Sequence, residues 1–213
     1  MNGRQAKWND FEHQLWKVLT AHDLEQKESY LLAVSGGVDS MVLLHSILRV
    51  KPQAYLRVAH FHHGDSQNSE QTKYRDHVAD FVKHKISELN QSKNAGPAIE
   101  FIFDRADREL LSEADMREAR WQFLMKIMSE ESEPILTAHH LDDWFETAIL
   151  KMMRGTSMEG VAAFQTWNSE IFRPFLNLSK EELVNYAIQQ KIGYLNDPSN
   201  LNPDYLRNWI REK

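Results

Sequence analysis

Apolar residues fall into two alternating rhythms along this chain. Residues 30–34, 55–61, 98–103 and 134–138 are short, mostly apolar runs, and 171–176 is a shorter segment of the same kind. Runs of that length without a steady polar face predict strands buried on both sides, as in a parallel sheet. Between them the apolar spacing changes to three and four. Residues 4–22 carry Trp8, Phe11, Leu15, Val18 and Leu19 at that spacing, and 40–49 open with Met41, Val42, Leu43, Leu44, Ile47 and Leu48 before Pro52 stops them. Residues 68–89 align Tyr74, Val78, Phe81, Val82 and Ile86, and 113–128 align Met116, Ala119, Phe123 and Ile127. Each stretch predicts an amphipathic helix. Ser179 and Glu182 form a capping box that opens a further helix towards residue 191. The connection 91–97 is a polar turn, and the charged exit 104–111 is expected to be mobile.

Strand and helix in alternation predict an α/β fold, a doubly wound parallel sheet of about five strands flanked by helices. A chain of 213 residues is expected to form one domain over 1–213. Composition narrows the chemistry. The cysteine count is zero, which removes disulfides, thiolate metal sites, iron–sulfur clusters and a cysteine nucleophile together. No run of about 18 apolar residues and no signal-peptide pattern occurs, so no membrane and a cytoplasmic location are expected. A net charge of −6 gives no broad basic surface for nucleic acid.

The first strand runs straight into Ser35-Gly36-Gly37-Val38-Asp39-Ser40 and then into a helix. That arrangement aims backbone N–H groups and a positive dipole end at an anion. Gly36 and Gly37 would let a phosphate approach, Ser35 and Ser40 would add hydroxyl donors, and no GxxxxGK[ST] lysine loop is present. Asp39 puts a carboxylate where a phosphate is expected, which predicts Mg²⁺ between the two. The second strand ends in His60-Phe61-His62-His63, either residues lining a strand end beside the nucleotide or, less in keeping with a chain lacking cysteine, zinc ligands. After the fourth strand come His139-His140-Leu141-Asp142-Asp143 and Glu146. Asp142 would cap the helix. Asp143 and Glu146 share a face of its first turn, either as dipole complements or as a carboxylate pair for Mg²⁺ or an amine. Arg154 closes that helix as a phosphate contact or a dipole partner, and Arg117 and Arg120 on their own read as solvated surface charges.

The loop SGGVDS resembles that of ATP pyrophosphatases which adenylate a carbonyl oxygen. Taken with HFHHGDS at 60–66, EADMREARW at 113–121, TAHHLDDWFET at 137–147, MRGTSMEGV at 153–161, FRPF at 172–175 and NDPSN…YLRNWIR at 196–211, the chain resembles the tRNA(Ile)-lysidine synthetases over residues 30–211. The resemblance implies an adenine nucleotide alpha hydrolase-like, Rossmann-like fold. It also implies a reaction in which ATP adenylates the wobble cytidine of tRNA(Ile) with a CAU anticodon and the ε-amine of free L-lysine displaces AMP. By the same resemblance Ser35, Gly36, Gly37, Val38, Asp39, Ser40, His60, His63 and Arg154 would hold ATP, with Mg²⁺ on Asp39. Asp143 and Glu146 would bind the lysine ammonium, and Arg117 and Arg120 would offset phosphate charge. Arg207 and Arg211 would meet tRNA or support the site. The family's further C-terminal tRNA-binding domains are expected to be absent, and a homodimer stays open. The rival readings are an amidotransferase-type adenylating enzyme and a nucleotide- or RNA-binding module without catalysis. A thiolase is disfavoured by the absence of cysteine.

Overall fold

The structure, a computed structural model, describes residues 7–92, 96–128, 133–153, 166–167 and 170–197. Helix α1 (Asp10–Thr20) precedes strand β1 (Ser29–Ala33), followed by α2 (Val38–Val50), β2 (Tyr55–His62), α3 (Ser69–Ser92) and β3 (Glu100–Arg105). Then come α4 (Glu113–Ile127), β4 (Ile135–Leu136), α5 (Leu141–Met153), β5 (Ile171–Phe172) and α6 (Lys180–Gln189). The five strands pair in the order β3-β2-β1-β4-β5, every pairing parallel. The fourth and fifth strands are shorter than their apolar runs, because only two residues of each enter the ladder.

Strand alternation decides what each face buries. Tyr30, Leu32, Leu56, Val58, Leu136 and Phe172 point into a large core shared with α1, α2, α3 and α6. Leu31, Ala59 and Ile135 point the other way, onto Phe123 and Leu124 of α4. Both faces are covered, which is why these strands read as apolar runs. Glu12, fully buried, fastens one end of the molecule. Its carboxylate caps its own helix at Asn9 and accepts hydrogen bonds from Arg49 of α2 at 2.8 Å and Tyr186 of α6 at 2.9 Å.

At the amino-terminal edge of the sheet, Arg57 pairs with Glu133 at 2.7 Å and Glu100 at 3.1 Å, and the Ser29 hydroxyl donates to Glu133 at 2.6 Å. These contacts tie the first residues of β1 and β3 and the third of β2 to Glu133, two residues before β4. The exit after β3 is anchored more than its charge predicted. Arg105 bridges Asp65 and Asp76, Ala106 donates its N–H to the His62 carbonyl, and Leu110 is buried.

Two adjacent glycines shape the turn between β1 and α2 for different reasons. Gly36 has φ +85°, and a Cβ there would stand 2.7 Å from Val78 Cγ1 of α3. Gly37 has φ −74°, and a Cβ there would meet nothing nearer than the Ser35 hydroxyl at 3.7 Å. The first glycine is required by backbone conformation and packing, the second is not. Gly36→Ala is therefore expected to destabilise the fold by about 1–3 kcal/mol. Gly37→Ser, at a helix N-cap, should stay within about 0.5 kcal/mol of the parent. Urea denaturation of both variants checks the contrast.

Candidate active site

In an open parallel sheet the loops leaving the carboxyl ends of the strands gather along one edge, and a cleft opens where the strand order reverses. Here that place is between β1 and β4. A cleft of about 1500 Å³ lies along this edge. The loops after β1, β2, β4 and β5 line it, together with α3, α4, α5, α6 and residues 194–197.

The turn after β1 is braced from within. The Ser40 hydroxyl donates to the Gly37 carbonyl at 2.9 Å and accepts the Ser35 N–H at 3.1 Å. Its proton is thus engaged inside the turn, although Ser40 also lines the cleft. Ser35, whose hydroxyl lies 3.2 Å from that of Ser40, lines the cleft, as do Gly37, Val38 and Asp39. Gly36 does not line it. It packs on α3, and its carbonyl accepts the N–H of Leu195 at 3.0 Å, so its place in the motif is to shape the turn.

At the end of β2 the rings of His60 and His62 are engaged within the protein, while His63 is held through its carbonyl. His60 Nδ1 donates to the Val34 carbonyl at 2.8 Å, tying β2 to the start of the turn. His62 Nδ1 accepts the Gly64 N–H at 3.0 Å, and Arg75 of α3 donates to the carbonyls of His63 and Gly64. His60 and His63 both line the cleft. Among the described residues no three His, Asp or Glu side chains gather as a metal cage. Mg²⁺ asks for less, one or two carboxylates completed by substrate phosphates. Asp39 fits that donor set, and it already holds a cation: Lys180 Nζ lies 2.6 Å and 2.7 Å from its two oxygens.

Arg117 and Arg120 of α4 line the cleft rather than the outer surface, as do Asp143 and Glu146 of α5. Glu146 is buried to 3% exposure, so it is more than a surface dipole complement. A side chamber of about 270 Å³ joins Arg117, Arg120, His63 and His139 to Glu113 and Asp143. Asp142 does not serve its own helix. Its carboxylate accepts the Lys180 N–H at 2.8 Å, while Asp143 accepts the N–H of His140 at 3.1 Å.

Neighbouring histidines meet opposite fields. Burial, reinforced by Arg173, Arg120 and Arg117, lowers His139 to about 3. Burial and the same arginine side, Arg120 with Arg75, lower His63 to about 3. Burial also acts to lower His140, but Asp39 and Asp143, 3.7 Å and 3.5 Å from its Nε2, outweigh it and raise the value. One side of the cleft thus carries arginines with neutral imidazoles, and the other carries Asp39 and Asp143 beside an imidazole whose value they raise.

All the site residues expected from sequence converge on the cleft, except Gly36, just described, and Arg154, which with Arg207 and Arg211 lies outside the described residues. Sequence reasoning assigns no role to His139, His140, Arg173 or Lys180, which also line the cleft. Arg173 is 3% exposed, lines the cleft at the end of β5, and has its N–H on the Thr166 carbonyl at 2.7 Å. An arginine directly before Pro174 at a strand end was the available signal for it. Lys180 carried none beyond its place in a capping box.

The depressed histidines have a consequence in acid. His139 and His63 stay neutral in the folded chain but bind protons in the unfolded chain below about 6.5. Their contribution is fully present above that value and is lost as the pH falls towards 3. Thermal midpoints should fall on acidification below pH 6.5, and His139→Gln should flatten the fall, as scanning calorimetry across that range would read.

The profile of the PP-loop domain family matches residues 8–213. Among known proteins the chain is similar to the tRNA(Ile)-lysidine synthase of Bdellovibrio bacteriovorus, 37% identical over 205 residues, covering 96% of this chain and 61% of that protein. It is also 37% identical over 198 residues to the tRNA(Ile)-lysidine synthase of Actinobacillus pleuropneumoniae serotype 3, covering 90% of this chain and 43% of the relative. The chain thus spans roughly half the length of these relatives. Among solved structures it superposes on the U34-tRNA thiolase NcsA of Methanococcus maripaludis with a TM-score of 0.70 at 16% identity, over 95% of this chain and 71% of that one. That likeness is one of fold. The turn after β1, the strand order and the matched residues agree: the chain belongs to the PP-loop domain family.

Proposed function

We propose that this chain is the catalytic domain of a tRNA(Ile)-lysidine synthetase, acting in the cytoplasm on ATP, free L-lysine and tRNA(Ile) with a CAU anticodon. The observation that carries the reading is the division of one cleft into an arginine wall and a carboxylate wall, with the SGGVDS turn between them. The relatives' names and the cleft's capacity support it. At about 1500 Å³ the cleft exceeds the roughly 300–1,000 Å³ of a site for one drug-sized ligand.

The chemistry assigns work to each wall. The cytosine O2 attacks the α-phosphorus of ATP, an O–P bond forms, and pyrophosphate leaves. Ser35 and the N–H groups at the start of α2 receive phosphate oxygens, and Arg117, Arg120 and Arg173 offset their charge. Asp39 would hold Mg²⁺, which supplies charge neutralisation at the phosphates when bound. The lysine ε-ammonium sits against Asp143 and Glu146, and loss of a proton to this carboxylate side frees its lone pair. Nitrogen then bonds to C2 of the cytosine, the C2–O bond breaks, and AMP departs with that oxygen. His63 and His139, neutral beside the arginines, add no further positive charge there.

Radiolabelled lysine is expected to enter a CAU isoleucine transcript in the presence of ATP and Mg²⁺, and not elongator methionine tRNA. Absence of labelling with ATP still bound would make the chain a nucleotide-binding module instead. Asp39→Asn should abolish tRNA-dependent ATP–pyrophosphate exchange. Glu146→Gln should leave that exchange and raise KM for lysine by at least about tenfold. Unchanged lysine dependence would remove Glu146 from the amine site.

A further inference from the structure

Lys180 has a fixed root and a long arm. It is the first residue of α6, and Ser179 before it is held by a capping box with Glu182. Its own N–H is held by Asp142 at the start of α5 at 2.8 Å. Beyond that anchored backbone the side chain is 42% exposed, and its ammonium reaches 141 residues back in sequence to both oxygens of Asp39. Such a lysine can turn its head without moving its helix.

The two oxygens it covers are those the proposed reaction assigns to Mg²⁺. An ammonium seated on both at 2.6 Å and 2.7 Å and a divalent ion bonded to the same carboxylate repel each other and compete for the same lone pairs. With Lys180 already on Asp39, a second cation would find little unneutralised charge there. When the divalent ion arrives, the lysine needs another anion. It lines the cleft beside the turn, where nucleotide phosphates would supply one.

We propose that Lys180 is a nucleotide-binding residue with two positions. It neutralises Asp39 in the free protein, yields those oxygens to the divalent ion, and then pairs with the phosphates. This rests on the ATP and Mg²⁺ reading above, and it gives Lys180 opposite effects on the two ligands.

The test uses the full chain, Mn²⁺ alone as a spin probe, and α,β-methylene ATP with Mg²⁺ in calorimetry. Lys180→Met is expected to bind Mn²⁺ about three- to tenfold more tightly without nucleotide, because its competitor is gone. The same variant should bind the Mg²⁺ nucleotide about tenfold more weakly, because a charged phosphate contact is gone. Lys180→Arg should restore both towards the parent. A merely structural lysine would weaken both ligands in Lys180→Met, and that result, or an unchanged Mn²⁺ affinity, overturns the proposal. Parent protein that fails to bind the Mg²⁺ nucleotide overturns the ATP reading and the exchange with it. Parent binding with no change in Lys180→Met overturns the role of Lys180 alone.

Discussion

A parallel sheet whose winding reverses leaves two neighbouring strands whose exit loops diverge, and in this protein those strands are β1 and β4. The first turn of α2, after β1, carries Asp39, and after β4 come His140 and, in the first turn of α5, Asp143; all three meet in the gap. The other end of the sheet has no such gap. There Arg57, Glu100, Glu133 and Ser29 knit the strand starts together, so one edge is closed by hydrogen bonds and the other stays open. The division of labour follows from topology before any side chain is considered.

Within the gap, two consecutive histidines report how steeply the electrostatic environment changes. His139 is held neutral by burial and three arginines, whereas Asp39 and Asp143 raise His140 against its own burial. Their Cα atoms are only about 3.8 Å apart across a trans peptide. Such fields act with less screening around buried groups than they would in bulk water. They also sort ligands by charge, since an anionic group gains at one wall what an ammonium gains at the other.

The fold was largely legible because its strands are buried on both faces and its helices on one, so the two periods stand apart in the sequence. The short ladders of β4 and β5 were not, since pairing of two residues depends on neighbours rather than on composition. Site residues inside compact motifs were legible: Ser35, Gly37, Asp39, Asp143 and Glu146 reach the cleft as their spacing implied. Long-range partners were not. Nothing in the neighbourhood of Lys180 announces Asp39, and nothing near Asp142 announces Lys180. The demand for glycine at position 36 was read from phosphate access; its positive φ and Val78 of α3, which leaves no room for a Cβ, demand it as well. Arg117 and Arg120 illustrate the converse, since helical spacing gives a shared face without saying whether that face meets water or a cleft.

The N–H of Leu195 on the carbonyl of Gly36 joins one of the last described segments to one of the first loops. A ribosome emits the turn early and its cover late, with most of the chain between them. Through most of synthesis the turn therefore exists without that hydrogen bond, and Lys180 has not yet been added opposite Asp39. The sheet can assemble strand by strand, but the nucleotide turn gains this hydrogen bond only after residue 195 has been added. A nascent chain long enough to hold the SGGVDS sequence is thus still short of a finished phosphate cradle.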